Sequence, residues 1–256
     1  MAQKDSKHKL PILLYHRVVK RSDKVGRHKI YVYEKQMEEQ LVYLKANNFS
    51  TITFKDLLQA KPDEDFSRKI ILTFDDGYED NYTLLFPLLK KYGFTAVIYL
   101  VTKLQRNEWG IAEGEPACNL MTAAQIKEMS DYGIEFGGHT CTHKALNEID
   151  LNDAKNEIEN CISDVENLLQ KKVLSFAYPF GGINKNVKEL MNYSGVPYAV
   201  STNTGPMNWH DDLMQMRRIE IRPGEGLGSF KNKVSGYYLT QKSIYTLFSK
   251  SNKIKY

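Results

Sequence analysis

Short apolar runs alternate with stretches of helical periodicity along most of the chain. The runs at 12–15, 51–53, 70–74, 96–101, 134–136, 174–177, 198–201 and 219–221 have the length and apolar content of buried β-strands. Between most of them, apolar residues recur at helical spacing, as Met37, Leu41 and Leu44 do. Strands joined by crossover helices form a parallel sheet, so the pattern predicts an α/β fold. Periodicity does not distinguish an open sheet from one closed into a barrel.

Two segments, 106–120 and 203–213, lack periodicity and are longer than most connections in compact domains. Long loops often carry function, so we interpret both segments as candidate rims of a binding site. Each contains one tryptophan, Trp109 and Trp209. An aromatic ring in such a loop either stacks on a sugar or fills an apolar gap.

The length of 256 residues is sufficient for one large core. A composition that is 42% hydrophobic and 26% charged is typical of a globular protein and excludes the disordered and fibrous classes. The three cysteines, Cys118, Cys141 and Cys161, do not have the spacing of zinc-binding pairs. Their small, odd number favours a reducing compartment over a disulfide framework.

The net charge of +4 is concentrated at the C-terminal end. Residues 230–256 contain six lysines and no acidic residue, which leaves a net charge of −2 for the rest of the chain. We therefore expect an N-terminal extension at 1–10, one α/β domain at 11–229 and a basic C-terminal tail at 230–256. Such a tail either packs on the domain or makes peripheral contact with an anionic membrane surface. A nucleic-acid partner is not expected.

The sequence contains no apolar run long enough to cross a bilayer, and no apolar segment follows its basic start. These two features predict a protein that is cytoplasmic or peripheral to the membrane. If a targeting segment has been removed, a secreted protein is expected instead.

Residues with catalytic potential follow four of the predicted strands. They are His16, the pair Asp75 and Asp76, the pair His139 and His143, and Tyr178 with Phe180. Parallel α/β folds build their active sites at the carboxyl ends of their strands. We therefore expect these side chains to meet at one edge of the sheet.

The residue types at this edge predict a metal site. In GGHTCTH, His139 and His143 are four residues apart, so one helical turn would place both imidazoles on one side. Two imidazoles and one carboxylate make a three-ligand site with a position open to water. In TFDDG, one of Asp75 and Asp76 could be the ligand while the other accepts a proton from that water. The spacing does not say which, and a helix cap or a surface histidine pair would leave the same pattern.

The order of TFDDG at 73–77, HTCTH at 139–143 and an x-Pro-aromatic strand end at 178–180 resembles the polysaccharide deacetylase family with the NodB-homology domain, carbohydrate esterase family 4. The resemblance covers residues 11–222. It implies a distorted (β/α) barrel of the NodB-homology type. It also implies a hydrolase that removes N-acetyl groups from amino sugars of a polysaccharide or glycan precursor. The cofactor that it implies is one divalent ion, with zinc as the expected metal.

The resemblance assigns roles to residues at matching positions. Asp76, His139 and His143 would be the metal ligands, and Asp75 would be the general base that activates the metal-bound water. Thr140 would brace the histidine loop by hydrogen bonding. These roles follow from the family pattern alone.

The strand end at Tyr178 and Phe180 would contact the substrate, and the N–H of Phe180 would stabilise the oxyanion. The chain also departs from the family pattern. It has Ala177 where the family has an arginine that orients the base, and Arg218 in MRRIEI is the candidate replacement. It also lacks a C-terminal L-x-H motif. The opening PILLYHRV resembles the permuted branch that deacetylates poly-N-acetylglucosamine, which implies that His16 is the general acid.

Two other function classes remain open at this point. One is a 2-His-1-carboxylate iron enzyme, although such sites normally lie on antiparallel β folds, unlike the strand–helix alternation seen here. The other is a catalytically weak or inactive glycan-binding relative, which Ala177 and the missing motif would allow. The identity of the bound metal and acetate release from acetylated oligosaccharides distinguish the three.

Overall fold

The computed structural model describes residues 10–61, 63–235 and 238. The strands of this part of the chain are β1 (Ile12–Tyr15), β2 (Arg17–Val19), β3 (Tyr31–Tyr33), β4 (Ser50–Thr51), β5 (Lys69–Phe74), β6 (Val97–Leu100), β7 (Glu135–Gly138), β8 (Ser175–Ala177), β9 (Tyr198–Val200) and β10 (Ile219–Glu220). Its α-helices are α1 (Glu34–Ala46), α2 (Phe54–Leu58), α3 (Phe86–Tyr92), α4 (Glu108–Ala112), α5 (Ala123–Tyr132), α6 (Leu151–Leu169), α7 (Lys185–Tyr193) and α8 (Leu227–Val234).

Eight of the strands form one parallel sheet in the order β10-β1-β5-β6-β7-β8-β9, with β4 paired to the start of β5. The segment at 216–219 connects the two ends of the sheet, β9 on one side and β1 on the other. Met216 forms a parallel bridge to β9, and three residues later Ile219 pairs with Leu13 of β1. The sheet therefore curls round into a distorted barrel, and the predicted α/β fold is confirmed.

Side chains alternate between the two faces of the curled sheet, as the period of a strand requires. In β5, Ile70 and Leu72 belong to the large core between the sheet and the helices, while Ile71 lies in a second core inside the barrel. Thr73 follows on the inner face, where its hydroxyl donates to the Leu13 carbonyl. The next inward position is 75, so the strand itself delivers Asp75 to the inside of the barrel mouth.

The eight predicted strands are all present, with ends that differ by at most two residues. A capping box formed by Thr122 and Gln125 starts α5, and Gly93, with φ of 70°, ends α3. Two strands were not predicted, β2 and β3, which form a separate parallel pair. Helix α4 and a 3₁₀ turn at Trp209–Asp211 lie in the two segments that were predicted as loops.

The start of the predicted basic tail belongs to α8. Phe230 and Val234 of this helix are buried in the large core, and Lys233 pairs with Glu225. Residues 236, 237 and 239–256 of the tail, like residues 1–9 of the predicted N-terminal extension, lie outside the described residues. Within the part of the chain that is described, no helix is both long and apolar enough to span a membrane.

Candidate active site

The carboxyl ends of β1, β5, β7 and β8 meet at one cavity of about 470 Å³. Its lining includes His16, Asp75, Asp76, Trp109, His139, His143 and Phe180. Except for Trp109, which was predicted in a loop at the rim, these are residues that the sequence predicted at strand ends, and the structure brings them together at one edge. Tyr178 and Arg218 do not line the cavity.

Asp76, His139 and His143 form a compact buried triad. The Nε2 atoms of His139 and His143 lie 3.3 and 3.2 Å from Oδ1 of Asp76, and each of the three residues offers one ligand atom within 4.8 Å of the others. Burial alone would raise the pKa of Asp76, but the two imidazoles hold that pKa well below its ordinary value. The triad therefore keeps its carboxylate ionised in the interior of the protein.

The triad has the features of a metal site. Oδ1 of Asp76 is buried and has no hydrogen-bond partner among the described residues, although both imidazole Nε2 atoms lie close to it. Such an atom is costly unless a cation satisfies it. Two imidazole nitrogens and a carboxylate oxygen are a common donor set for zinc and related divalent ions. These residues fit a divalent ion.

The loop that carries the histidines is held by hydrogen bonds from several directions. Nδ1 of His139 lies 2.7 Å from the Ala177 carbonyl, which directs its Nε2 to the triad. The predicted brace is present: the Thr140 hydroxyl accepts a hydrogen bond of 2.9 Å from the His143 N–H. Thr140 and His143 both have positive φ, at 67° and 60°, so the surrounding contacts must maintain a strained turn.

Glu157 of α6 also stabilises this loop, and the sequence did not reveal it. Its carboxylate accepts hydrogen bonds from the N–H groups of Cys141 and Thr142 and from the Thr142 hydroxyl. A buried glutamate on the apolar side of a helix was the available signal, because Glu157 directly precedes Ile158 in the stripe facing the sheet.

Asp75 is paired with Arg218 inside the barrel. Both oxygens of the carboxylate accept from the guanidinium, at 2.6 and 2.7 Å, and Arg218 also donates to the Ser201 carbonyl. Burial alone would raise the pKa of Asp75, but the positive charge of Arg218, with help from His139, holds it below its ordinary value. Arg218, which directly precedes β10, therefore supplies the positive charge that Ala177 does not provide.

His16 lies at the cavity with its Nε2 4.0 Å from Oδ2 of Asp75. The side-chain amide of Asn81 donates to the His16 carbonyl at 2.9 Å. Arg17 pairs with Asp80 at 2.8 Å, and the same carboxylate accepts from the Val18 N–H. Contacts from Asp80 and Asn81, at the start of a helical segment, therefore fix the backbone at His16 and on its C-terminal side, and the sequence had not revealed these two residues.

Tyr178 and Phe180 occupy different environments, which corrects the prediction that both contact substrate. The Tyr178 side chain is buried, and its hydroxyl donates to the Met214 carbonyl. Strand alternation explains this position: Phe176 and Tyr178 point to the helices, while Ala177 faces the barrel interior. Phe180 lies at the mouth, where the residue is 59% exposed, and has a φ of 57°. The 3₁₀ turn around it uses the N–H groups of Gly181 and Gly182.

One wall of the cavity is built from two loops that are far apart in sequence. The Glu115 carboxylate accepts from the N–H groups of Arg27 and His28, and the His28 imidazole lies 3.0 Å from Glu113. Trp109 of α4 belongs to this wall. Trp209 does not: it packs edge-on against Phe66 in the core inside the barrel.

Residues 63–199 match the sequence profile of the polysaccharide deacetylase family. The chain belongs to this family. The matched range contains the pair Asp75 and Asp76 and the pair His139 and His143, whereas His16 and Arg218 lie outside it. The family resemblance seen in the motifs is confirmed.

Relatives within the polysaccharide deacetylase family agree with the assignment. The poly-β-1,6-N-acetyl-D-glucosamine N-deacetylase of Staphylococcus epidermidis is 28% identical over 200 residues, which cover 74% of this chain and 68% of that protein. The deacetylase PplD of Streptococcus pyogenes, solved in complex with acetate, has a TM-score of 0.77 at 24% identity and covers 89% of this chain and 98% of that one. IcaB from Ammonifex degensii gives a TM-score of 0.68 at 21% identity, covering 89% and 96%. The two structures confirm the NodB-type fold.

Proposed function

We propose that this polysaccharide deacetylase is metal-dependent and hydrolyses the N-acetyl amide of amino sugars within a glycan. The observation that carries the proposal is the buried triad of Asp76, His139 and His143 next to an ionised Asp75, all at the mouth of one cavity. We propose poly-β-1,6-N-acetylglucosamine as the first substrate to test, because the Staphylococcus epidermidis relative is named for that polymer.

The triad would hold the divalent ion. When bound, the ion supplies a Lewis acid that lowers the pKa of a water molecule and polarises the amide carbonyl. The other residues then need only to move protons and to position the substrate.

Asp75 is the proposed general base. Arg218 keeps it ionised and fixes the plane of its carboxylate, while Asp75 still lines the cavity. A base in this position removes a proton from the attacking water as the water adds to the amide carbon. Arg218 acts on the reaction only through Asp75, so it is a positioning residue.

His16 is the proposed general acid. The amine that leaves the tetrahedral intermediate is a poor leaving group until its nitrogen is protonated. His16 lies on the cavity wall beside Asp75, and Asn81 anchors its backbone. It can donate the proton to the amine nitrogen as the bond between carbon and nitrogen breaks. The N–H of Phe180 is the proposed donor to the developing oxyanion.

The inactive glycan-binding alternative loses its main support, because Arg218 supplies the cation that Ala177 cannot. An iron oxygenase is not favoured either, since the site lies on a parallel α/β barrel of the deacetylase family. Acetate release in the absence of oxygen separates these alternatives from the proposal.

The test is acetate release from acetylated oligosaccharides, starting with β-1,6-linked N-acetylglucosamine oligomers, with and without a chelator. We expect activity that the chelator abolishes and that zinc restores. His139→Ala should lose both metal and activity, whereas Asp75→Asn should retain metal and lose ~10²–10⁴-fold in rate. Activity that survives the chelator, or wild-type metal content in His139→Ala, would contradict the proposal.

A further inference from the structure

The His143 imidazole lies between two aromatic rings. The indole of Trp109 stacks on it at 4.2 Å between centroids with an interplanar angle of 20°. The ring of Phe180 meets it edge-on at 4.7 Å and 74°. Together the two contacts restrict rotation of the imidazole about its side-chain bonds.

The two histidines of the triad are oriented by different means. His139 has a hydrogen bond from Nδ1 to the Ala177 carbonyl, the usual arrangement for a metal-binding histidine. Nδ1 of His143 is buried and has no hydrogen-bond partner among the described residues. Among the described residues no hydrogen bond to Nδ1 fixes the plane of the His143 ring, and the two aromatic rings are the contacts that restrain it.

Trp109 is itself held firmly enough to serve as a support. The Asn107 side chain, which is buried, donates to the Pro116 carbonyl and accepts from the Cys118 N–H, closing the segment that carries α4. Glu115 ties the same segment to the loop at Arg27 and His28. Trp109 also contacts the buried ring of Tyr78. These contacts hold the indole without any contribution from the triad.

We infer that Trp109 is a positioning residue that holds the His143 imidazole in its ligating orientation, in place of the hydrogen bond that His139 has. The inference deepens the proposed function, because it rests on the triad being the metal site. It predicts that removing the indole weakens metal binding even though Trp109 offers no ligand atom.

Zinc affinity measured by chelator competition gives the first test. Loss of an outer partner of a ligating histidine typically costs 10–100-fold in metal affinity, and we expect a loss of this size for Trp109→Ala. Trp109→Phe retains a ring that can stack, so it should recover most of the affinity. Trp209→Phe is the matched control: Trp209 is the only other tryptophan and packs in a separate core, so this variant should bind zinc like the wild type.

The second test does not depend on metal. In the metal-free protein, the ring current of Trp109 should shift the His143 imidazole C–H resonances upfield, and Trp109→Ala should remove that shift. The resonances are assigned by their absence in His143→Ala. In a Trp209→Phe background, Trp109 is the sole tryptophan, so its emission should also change as zinc is added.

The outcomes separate the inference from the proposed function. Zinc affinity that is unchanged in Trp109→Ala, or His143 resonances that do not move in that variant, would overturn the inference. Zinc binding that survives His139→Ala would instead overturn the proposed metal site. In that case the resonance shift still decides whether Trp109 orients His143.

Discussion

Replacing Arg218 by methionine tests the buried ion pair on which the proposed base depends. Arg218 is 1% exposed and Asp75 is 3% exposed, and two hydrogen bonds of 2.6 and 2.7 Å join them. Removing one partner of a buried pair leaves an uncompensated charge and typically costs ~3–5 kcal/mol. In a protein of this size 1 kcal/mol lowers the Tm by ~2–4 °C, so we expect Arg218→Met to melt roughly 6–20 °C below the wild type.

The pH dependence of this loss has a definite sign. In the wild type the pKa of Asp75 is lowered, so the pair stabilises the fold above the ordinary carboxyl range and ceases to do so as the pH falls through the lowered pKa. In Arg218→Met, burial is no longer opposed by the guanidinium, and the pKa of Asp75 should rise. The deficit of the variant should therefore be largest at neutral and alkaline pH and shrink on acidification.

The assay is thermal and denaturant unfolding at pH 5 and pH 8, with a chelator present so that metal binding does not add to stability. The control is the double variant Asp75→Asn/Arg218→Met, which has no buried charge left without a partner. It should be more stable than Arg218→Met alone. If Arg218→Met is as stable as the wild type, or the double variant is no more stable than Arg218→Met, the reasoning about this pair is wrong.

Two further predictions concern other ionisable groups. His16→Ala should retain fold and metal but lose ~10²–10⁴-fold in turnover, with a smaller loss for substrates that have better leaving groups. A fully active variant would show that another residue is the general acid. Burial raises the pKa of Glu135 to about 7, so the folded protein retains a proton that the unfolded chain releases near pH 4.5. Stability should then fall as the pH rises from about 4.5 to 7. The free energy of unfolding of Glu135→Gln should therefore fall less between pH 5 and pH 8 than that of the wild type. An identical pH dependence in both proteins would contradict this prediction.

The sequence predicted the main sheet because its strands are apolar on both faces. A parallel strand covered by helices on one side and by the barrel core on the other leaves a short continuous apolar run. Strands β2 and β3 escaped prediction since each has three residues, and Arg17–Val19 continues an apolar run that was assigned to β1. Their pairing depends on a contact between positions 17 and 31 that periodicity cannot show.

The site was predictable where it depends on contiguous motifs. Asp75 with Asp76, and His139 with His143, come together because each pair follows one strand of the same sheet. Glu157 and Glu115 were not predicted, because each binds backbone N–H groups of another loop. The position of Glu157 on the apolar side of α6 signals burial, but neither glutamate carries a sign of its partner. Tyr178 was misplaced for a different reason: its motif suggested the cavity, while the alternation of β8 assigns it to the helix side.

That alternation also explains how the cation of the base can come from another strand. Ala177, where the family pattern has an arginine, faces the barrel interior. Thr73 near the end of β5 and Asp75 directly after it occupy successive inward positions, and Arg218 reaches both of their side chains from the segment just before β10. The inward positions at the carboxyl ends of all strands of a curled sheet converge on one small volume. An arginine from a strand other than β8 can therefore reach the carboxylate, as Arg218 does, so the site constrains the position of the charge inside the barrel mouth more than the strand from which it comes.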